Sequence, residues 1–117
     1  MRFEDLEVWK RATRLSVTVF RSMSSCKDFG FRDQITRSSL SVPSNIAEGF
    51  ERVSQKECAT FLSYAKGSCG ELRTQIYVGM EIGYIEASVG KRWLRESEEL
   101  SLMLGALIKI KKGYAQQ

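Results

Sequence analysis

The stretch SQKECATFLSYAKGSCGELRTQIYVGMEIG, residues 54–83, decides the fold. Its opening, Ser54-Gln55-Lys56-Glu57, has the form of a capping box. In that arrangement the Ser54 hydroxyl accepts from an amide three residues on, the Glu57 side chain reaches back, and an outside apolar residue, here Val53, staples onto Cys58. Cys58, Phe61, Leu62, Ala65, Cys69, Leu72, Ile76 and Gly79 then recur at the spacing of one helical face. Gly67 and Gly70 each cost ~1 kcal/mol relative to alanine inside a helix. The pattern therefore predicts close approach of another helix to compensate. Gly79-x-x-x-Gly83 matches a membrane dimer motif in letters only, because Glu81 and its polar neighbours exclude a membrane span. Gly83 reads as the helix stop.

The flanking sequence repeats the helical period. Val8, Ala12, Leu15 and Val19 step by four, three and four, with Trp9, Phe20 and Met23 widening the stripe, and Ser24 to Lys27 form the exit. Asp28 is placed as the N-cap of a second helix, in which Phe31, Ile35, Ser38, Val42 and Ile46 keep the spacing as far as Gly49. Pro43 cannot donate to the Ser39 carbonyl, so that helix is expected to kink or loosen there, with the hydroxyls of Ser38, Ser39, Ser41 and Ser44 serving freed backbone groups. A last helix is expected from about Ser88 to Lys112, with Trp93, Leu100, Leu104 and Leu107 facing inward. Short connections make neighbours antiparallel. The expectation is an all-α, up-down-up-down four-helix bundle, a single domain over residues 1–117.

Bulk properties agree with one helical core. The chain has one proline and nine glycines among 117 residues, too few turn formers for a β-rich fold. Residues 1–7 carry Glu4, Asp5 and Glu7 where a signal peptide has its apolar core, and no run approaches ~18 apolar residues. A cytoplasmic protein without membrane association is expected. Cys26, Cys58 and Cys69 form no C-x-x-C pair, and Cys58 and Cys69 on one helix lie about 16 Å apart, too far to bridge. They read as core or loop thiols.

Chemistry is scarce. The chain has no histidine, which removes the usual general base, the Ser-His and Cys-His pairs and the ligands of di-iron bundles. No phosphate-binding glycine loop follows a strand, and the spacing of Glu48, Glu57 and Glu71 requires no metal. No enzymatic activity, cofactor or metal is expected.

Residues 34–49 are more specific: Gln34-Ile35-Thr36-Arg37-Ser38-Ser39-Leu40-Ser41-Val42-Pro43-Ser44-Asn45-Ile46-Ala47-Glu48-Gly49. With Phe3-x-x-Leu6-x-Val8-Trp9-Lys10, Phe61-Leu62-x-x-Ala65-x-Gly67-Ser68-x-x-Glu71-Leu72-x-Thr74 and Gly83-Tyr84-Ile85, this run resembles the four helix bundle protein family. That family includes proteins encoded within intervening sequences of bacterial 23S ribosomal RNA genes. Its relatives include the accessory variability determinant of diversity-generating retroelements. The resemblance implies a homopentameric barrel of bundles and, for the retroelement relatives, a basic surface that binds nucleic acid, RNA or DNA, and a reverse transcriptase. Gln34, Arg37, Ser38, Ser41, Pro43, Asn45, Glu48 and Gly49 read either as builders of the kink and of a subunit contact or as a ligand site, and the lack of a neighbouring base or metal site favours the structural role.

Two functions fit. In one, the net charge of +4 per chain is multiplied by assembly, to about +20 in a ring of five, and attracts phosphates. In the other, the chain is an assembly scaffold for a protein partner, with Tyr77 or Tyr84 as anchors. For nucleic acid, Lys10, Arg14 and Arg21, with Arg11 alongside, form a stripe on the first helix. Lys91, Arg92 and Arg95 crowd the start of the last helix, where the dipole disfavours cations and only Glu96, Glu98 and Glu99 lie near enough in sequence to compensate.

Overall fold

The computed structural model describes residues 2–116, and among them every regular element is helical. A short 3-10 turn, Phe3–Asp5, precedes α1 (Glu7–Met23), α2 (Phe29–Glu51), α3 (Gln55–Glu81) and α4 (Ala87–Ala115). The helices are joined by turns at residues 24–28, 52–54 and 82–86, too short for anything but antiparallel neighbours, and the bundle measures 49 × 22 × 19 Å. α3 packs along both α2 and α4, whereas α1 lies on α2 and touches α4 lightly. No helix of the described chain is long and apolar enough to cross a membrane.

The stripes read from the sequence meet inside, except that Phe20, expected to widen the α1 stripe, is exposed and packs against no part of the core. Val19 of α1, Ile35 and Ile46 of α2, Leu62, Leu72 and Ile76 of α3, and Leu100 and Leu104 of α4 are fully buried. Withdrawing such a side chain from water contributes ~1.5–3 kcal/mol. The helix starts also follow local chemistry. The Phe31 amide donates to Asp28 Oδ1 at 3.1 Å, and the Glu57 amide donates to Ser54 Oγ at 3.0 Å. Gly83 ends α3 with φ at +83°, a conformation that side-chain-bearing residues rarely adopt.

Several expectations are corrected. Val53 is fully exposed, so it staples nothing, and the Glu57 carboxylate turns to Arg52 at 3.5 Å. α2 continues as α-helix through Pro43, which is buried. The Ser38, Ser39 and Ser41 hydroxyls bond the carbonyls of Gln34, Thr36 and Ser38, and Asn45 donates to the Ser41 carbonyl. None of these side chains takes the Ser39 carbonyl that proline leaves. α4 starts one residue earlier than expected and runs three further, to Ala115. Among the described residues no helix closes on Gly67, around which a β-carbon would find open space, or on Gly70, which has only Arg73 Nη2 at 3.8 Å. Close approach occurs instead at Gly49, Gly79 and Gly90.

Candidate nucleic-acid interface

The antiparallel arrangement brings the last turn of α1, the first turns of α2 and α4, and the end of α3 to one end of the bundle. Tyr84 ties its two turns together. Its hydroxyl donates to Asp28 Oδ2 at 2.9 Å, and its ring meets Phe31 edge-on at 5.3 Å. The Phe31 amide and the Tyr84 hydroxyl together hold the Asp28 carboxyl below its ordinary range.

At this end Lys91, Arg92 and Arg95 are exposed and form no ion pair among the described residues. α4 begins here without a side-chain cap. Of the three acids near the cluster in sequence, Glu96 and Glu99 are turned to Arg11, and Glu98 is exposed and forms no ion pair among the described residues. Arg11 Nε donates to Glu96 Oε2 at 2.9 Å, and Arg11 Nη2 donates to Glu99 Oε1 at 3.1 Å. Hydrogen bonding to Glu96 and then Glu99 raises the pKa of Arg11, while Arg11 lowers that of Glu96. Arg11 is thus removed from the proposed stripe, because its guanidinium is half-buried and pins α1 to α4. Lys10, Arg14 and Arg21 stay exposed on α1. Arg14 has one loose contact, with Glu7 at 3.5 Å, and adds to the field that keeps Glu96 charged.

The 34–49 run divides between inside and outside. Ser38 is buried, its oxygen 2.7 Å from Glu71 Oε1 and 3.0 Å from the Gln34 carbonyl, so its one proton serves one acceptor at a time. Glu48 accepts from Arg52 Nη2 at 2.6 Å, and the Arg52 guanidinium covers the Phe61 ring at 4.6 Å, which closes the α2–α3 turn. Gly49 lies so near α3 that a β-carbon would be 3.1 Å from the Cys58 carbonyl and 3.2 Å from Phe61 Cβ. Gln34 and Arg37 are exposed and line a shallow depression with Gly30 and Asp33. The run therefore builds contacts between helices rather than a gathered reactive site. Cys69 offers no nucleophile, since burial pushes its thiol up to about 11.

A second surface was not legible as a unit. Between α1 and α2 runs an apolar groove of about 340 Å³ whose walls include Trp9, Val17, Leu40, Pro43 and Ala47, with Phe3 across one end. Thr13 Oγ1 lies buried beside it without a hydrogen-bond partner. Val17 and Leu40 sit off the core stripes, the one signal in the sequence for such a face.

The family model for 23S rRNA-intervening sequence protein matches residues 4–106. The chain belongs to this family. A crystal structure of a protein of unknown function from the S23 ribosomal protein family of Bacteroides thetaiotaomicron superposes with a TM-score of 0.82 at 22% identity, covering 87% of this chain and 98% of that one. At that identity the likeness supports the fold alone. No curated protein matches the sequence. For this member of the 23S rRNA-intervening sequence family, Glu48, Gly49 and Ser38 are accounted for by helix packing, whereas the exposed cations at the α4 start are not needed by the bundle.

Proposed function

We propose that this protein is a non-catalytic, homo-oligomeric RNA-binding accessory factor of the cytoplasm. Its phosphate-contacting surface comprises Lys91, Arg92 and Arg95 with Lys10, Arg14 and Arg21. The observation that carries this reading is the unpaired cluster at the start of α4, left uncompensated while Glu96 and Glu99 serve Arg11. Lys91 and Arg92 each stand one helical turn from Arg95, so phosphate binding would relieve like-charge repulsion along the helix. The α1–α2 groove is the natural contact between copies, and a pentameric ring would repeat the cationic end around one axis.

Fluorescence anisotropy with a structured RNA at two salt concentrations tests the reading. Replacing Lys91, Arg92 and Arg95 together with Ala should weaken binding across sequences and flatten the salt dependence by roughly one unit per lost phosphate contact. Unchanged affinity and slope would remove this surface from consideration. The apolar groove favours a second reading, a scaffold that docks a protein partner without nucleic acid. In that case the wild-type chain would bind RNA no better than the triple variant.

A further inference from the structure

At the α1–α2 turn an aromatic ring is held outside the core in an unusual setting. Phe29, the first residue of α2, is 62% exposed, and its ring is capped on one side by the Arg32 guanidinium, with Cζ 4.6 Å from the ring centroid. Arg32 is not free to swing away at no cost, because its Nη1 also reaches the Ser24 carbonyl at 3.4 Å. Phe29 belongs to neither the buried core nor the set of half-buried side chains packed against it. Arg21 precedes this turn and Lys27 lies in it, both exposed and without an ion pair among the described residues. Asp28, the acid within the turn, has both carboxylate oxygens engaged, by the Phe31 amide and the Tyr84 hydroxyl.

From this juxtaposition we infer that Phe29 and Arg32 form a stacking platform for an unpaired nucleobase, so that the protein's ligand is single-stranded RNA rather than a duplex. The inference rests on the RNA-binding reading above. A ring with a guanidinium behind it offers a planar, polarised face to which any base can add, and base–aromatic stacking is tolerant of sequence. Bases inside a duplex are already stacked on one another and cannot use such a face, whereas phosphate contacts alone serve both forms. The α1 stripe of Lys10, Arg14 and Arg21 leads toward this turn. A strand whose backbone follows the stripe would deliver a base to Phe29.

The test uses the full chain, a single-stranded RNA of about twelve nucleotides carrying 2-aminopurine, and a hairpin of the same base composition whose stem is closed by a non-nucleotide linker, so that it has no unpaired base. Binding of the single strand should quench the 2-aminopurine signal. Phe29→Ala should lower single-strand affinity about tenfold without changing the salt slope, because no phosphate contact is lost, and should leave the hairpin unaffected. Phe29→Trp should retain the affinity. Phe29→Leu, which keeps apolar bulk but removes the π-face, should lose it as Ala does, and so separates stacking from folding. The platform is overturned if Phe29→Ala binds the single strand as wild type does, if it loses hairpin and single strand equally, or if light scattering shows that it changes the number of subunits, which would make Phe29 a contact between copies. Failure of the platform alone leaves wild-type binding that the Lys91, Arg92 and Arg95 substitutions still weaken. Failure of the RNA reading leaves no salt-sensitive binding to either RNA, and overturns both.

Discussion

α4 has two neighbours and is held to them by different physics. Against α3 the contact is apolar and close. A β-carbon added at Gly90 of α4 would overlap Met80 of α3, while at the end of α3 one added at Gly79 would meet Ile85 of the connecting turn and Phe31 of α2. Ser97, also buried, donates across the same seam to the Cys69 carbonyl at 3.2 Å. Against α1 the contact is sparse, and its polar part is made by Arg11 with Glu96 and Glu99 and by Arg11 Nη1 near Met103 Sδ at 3.6 Å. The first seam is specified by shape and tolerates no added volume. The second adds ion pairs to a smaller apolar contact, depends on pH through them, and leaves α1 the helix least bound to the rest.

The largest effect should come from adding volume at the tight seam, at Gly90, or at the α3–α4 turn beside it, at Gly79. Gly79→Ala and Gly90→Ala each place a methyl group where Ile85, Phe31 or Met80 already lies, and overfilling of a packed core typically costs ~1–3 kcal/mol. Met80 is flexible and half-buried, so Gly90→Ala should fall toward the low end, with Gly79→Ala toward the high end. Urea denaturation would measure both. Equal or greater stability of Gly79→Ala would show that the α3–α4 turn repacks at little cost.

Acid should open the other seam first. Arg11 holds the Glu96 carboxyl below its ordinary 4.5, so the folded form favours the carboxylate. The resulting stability is fully present above pH 4.5 and is lost as pH falls through the depressed folded value. The pair is partly solvated, with about a third or less of each side chain exposed, so its contribution is on the order of 1 kcal/mol. Hydrogen exchange at pH 7 and at pH 3.5 should show protection falling in α1 before α3. Glu96→Gln should remove most of that difference, and uniform loss across all four helices would contradict a separately weak seam.

The two seams also show what the sequence could convey. Apolar period and capping chemistry are local, so Cys58 to Gly79, the Asp28 and Ser54 caps and the Gly83 stop were all readable. Which cation meets which acid is not local. Arg11 looked like a member of the α1 stripe, and its partners lie 85 and 88 positions away, on a helix whose rotation about α1 is set by packing. For the same reason the cluster at Lys91, Arg92 and Arg95 was legible as a charge anomaly, but its lack of a partner was not. Phe29 was hidden for a different reason, because a phenylalanine at a helix start is ordinarily expected to turn inward.

The smallest effect should be found on the far side of α3, and it has the opposite sign. Gly67 is helical and exposed, and among the described residues nothing beyond its own turn of helix backbone lies within 4 Å of where a β-carbon would stand. In an isolated chain Gly67→Ala therefore gains helix propensity and meets no obstruction, which should stabilise the fold by up to ~1 kcal/mol and raise the melting temperature by about 4 °C. Comparison with Gly79→Ala on the same helix isolates the environment, since the residue change is identical. If instead Gly67→Ala lowers the melting temperature, and does so more at high protein concentration than at low, a second copy of the chain must lie against this part of α3. The compensation that the sequence predicted for Gly67 would then be supplied between subunits rather than within one, and the glycine would mark the face on which the oligomer assembles.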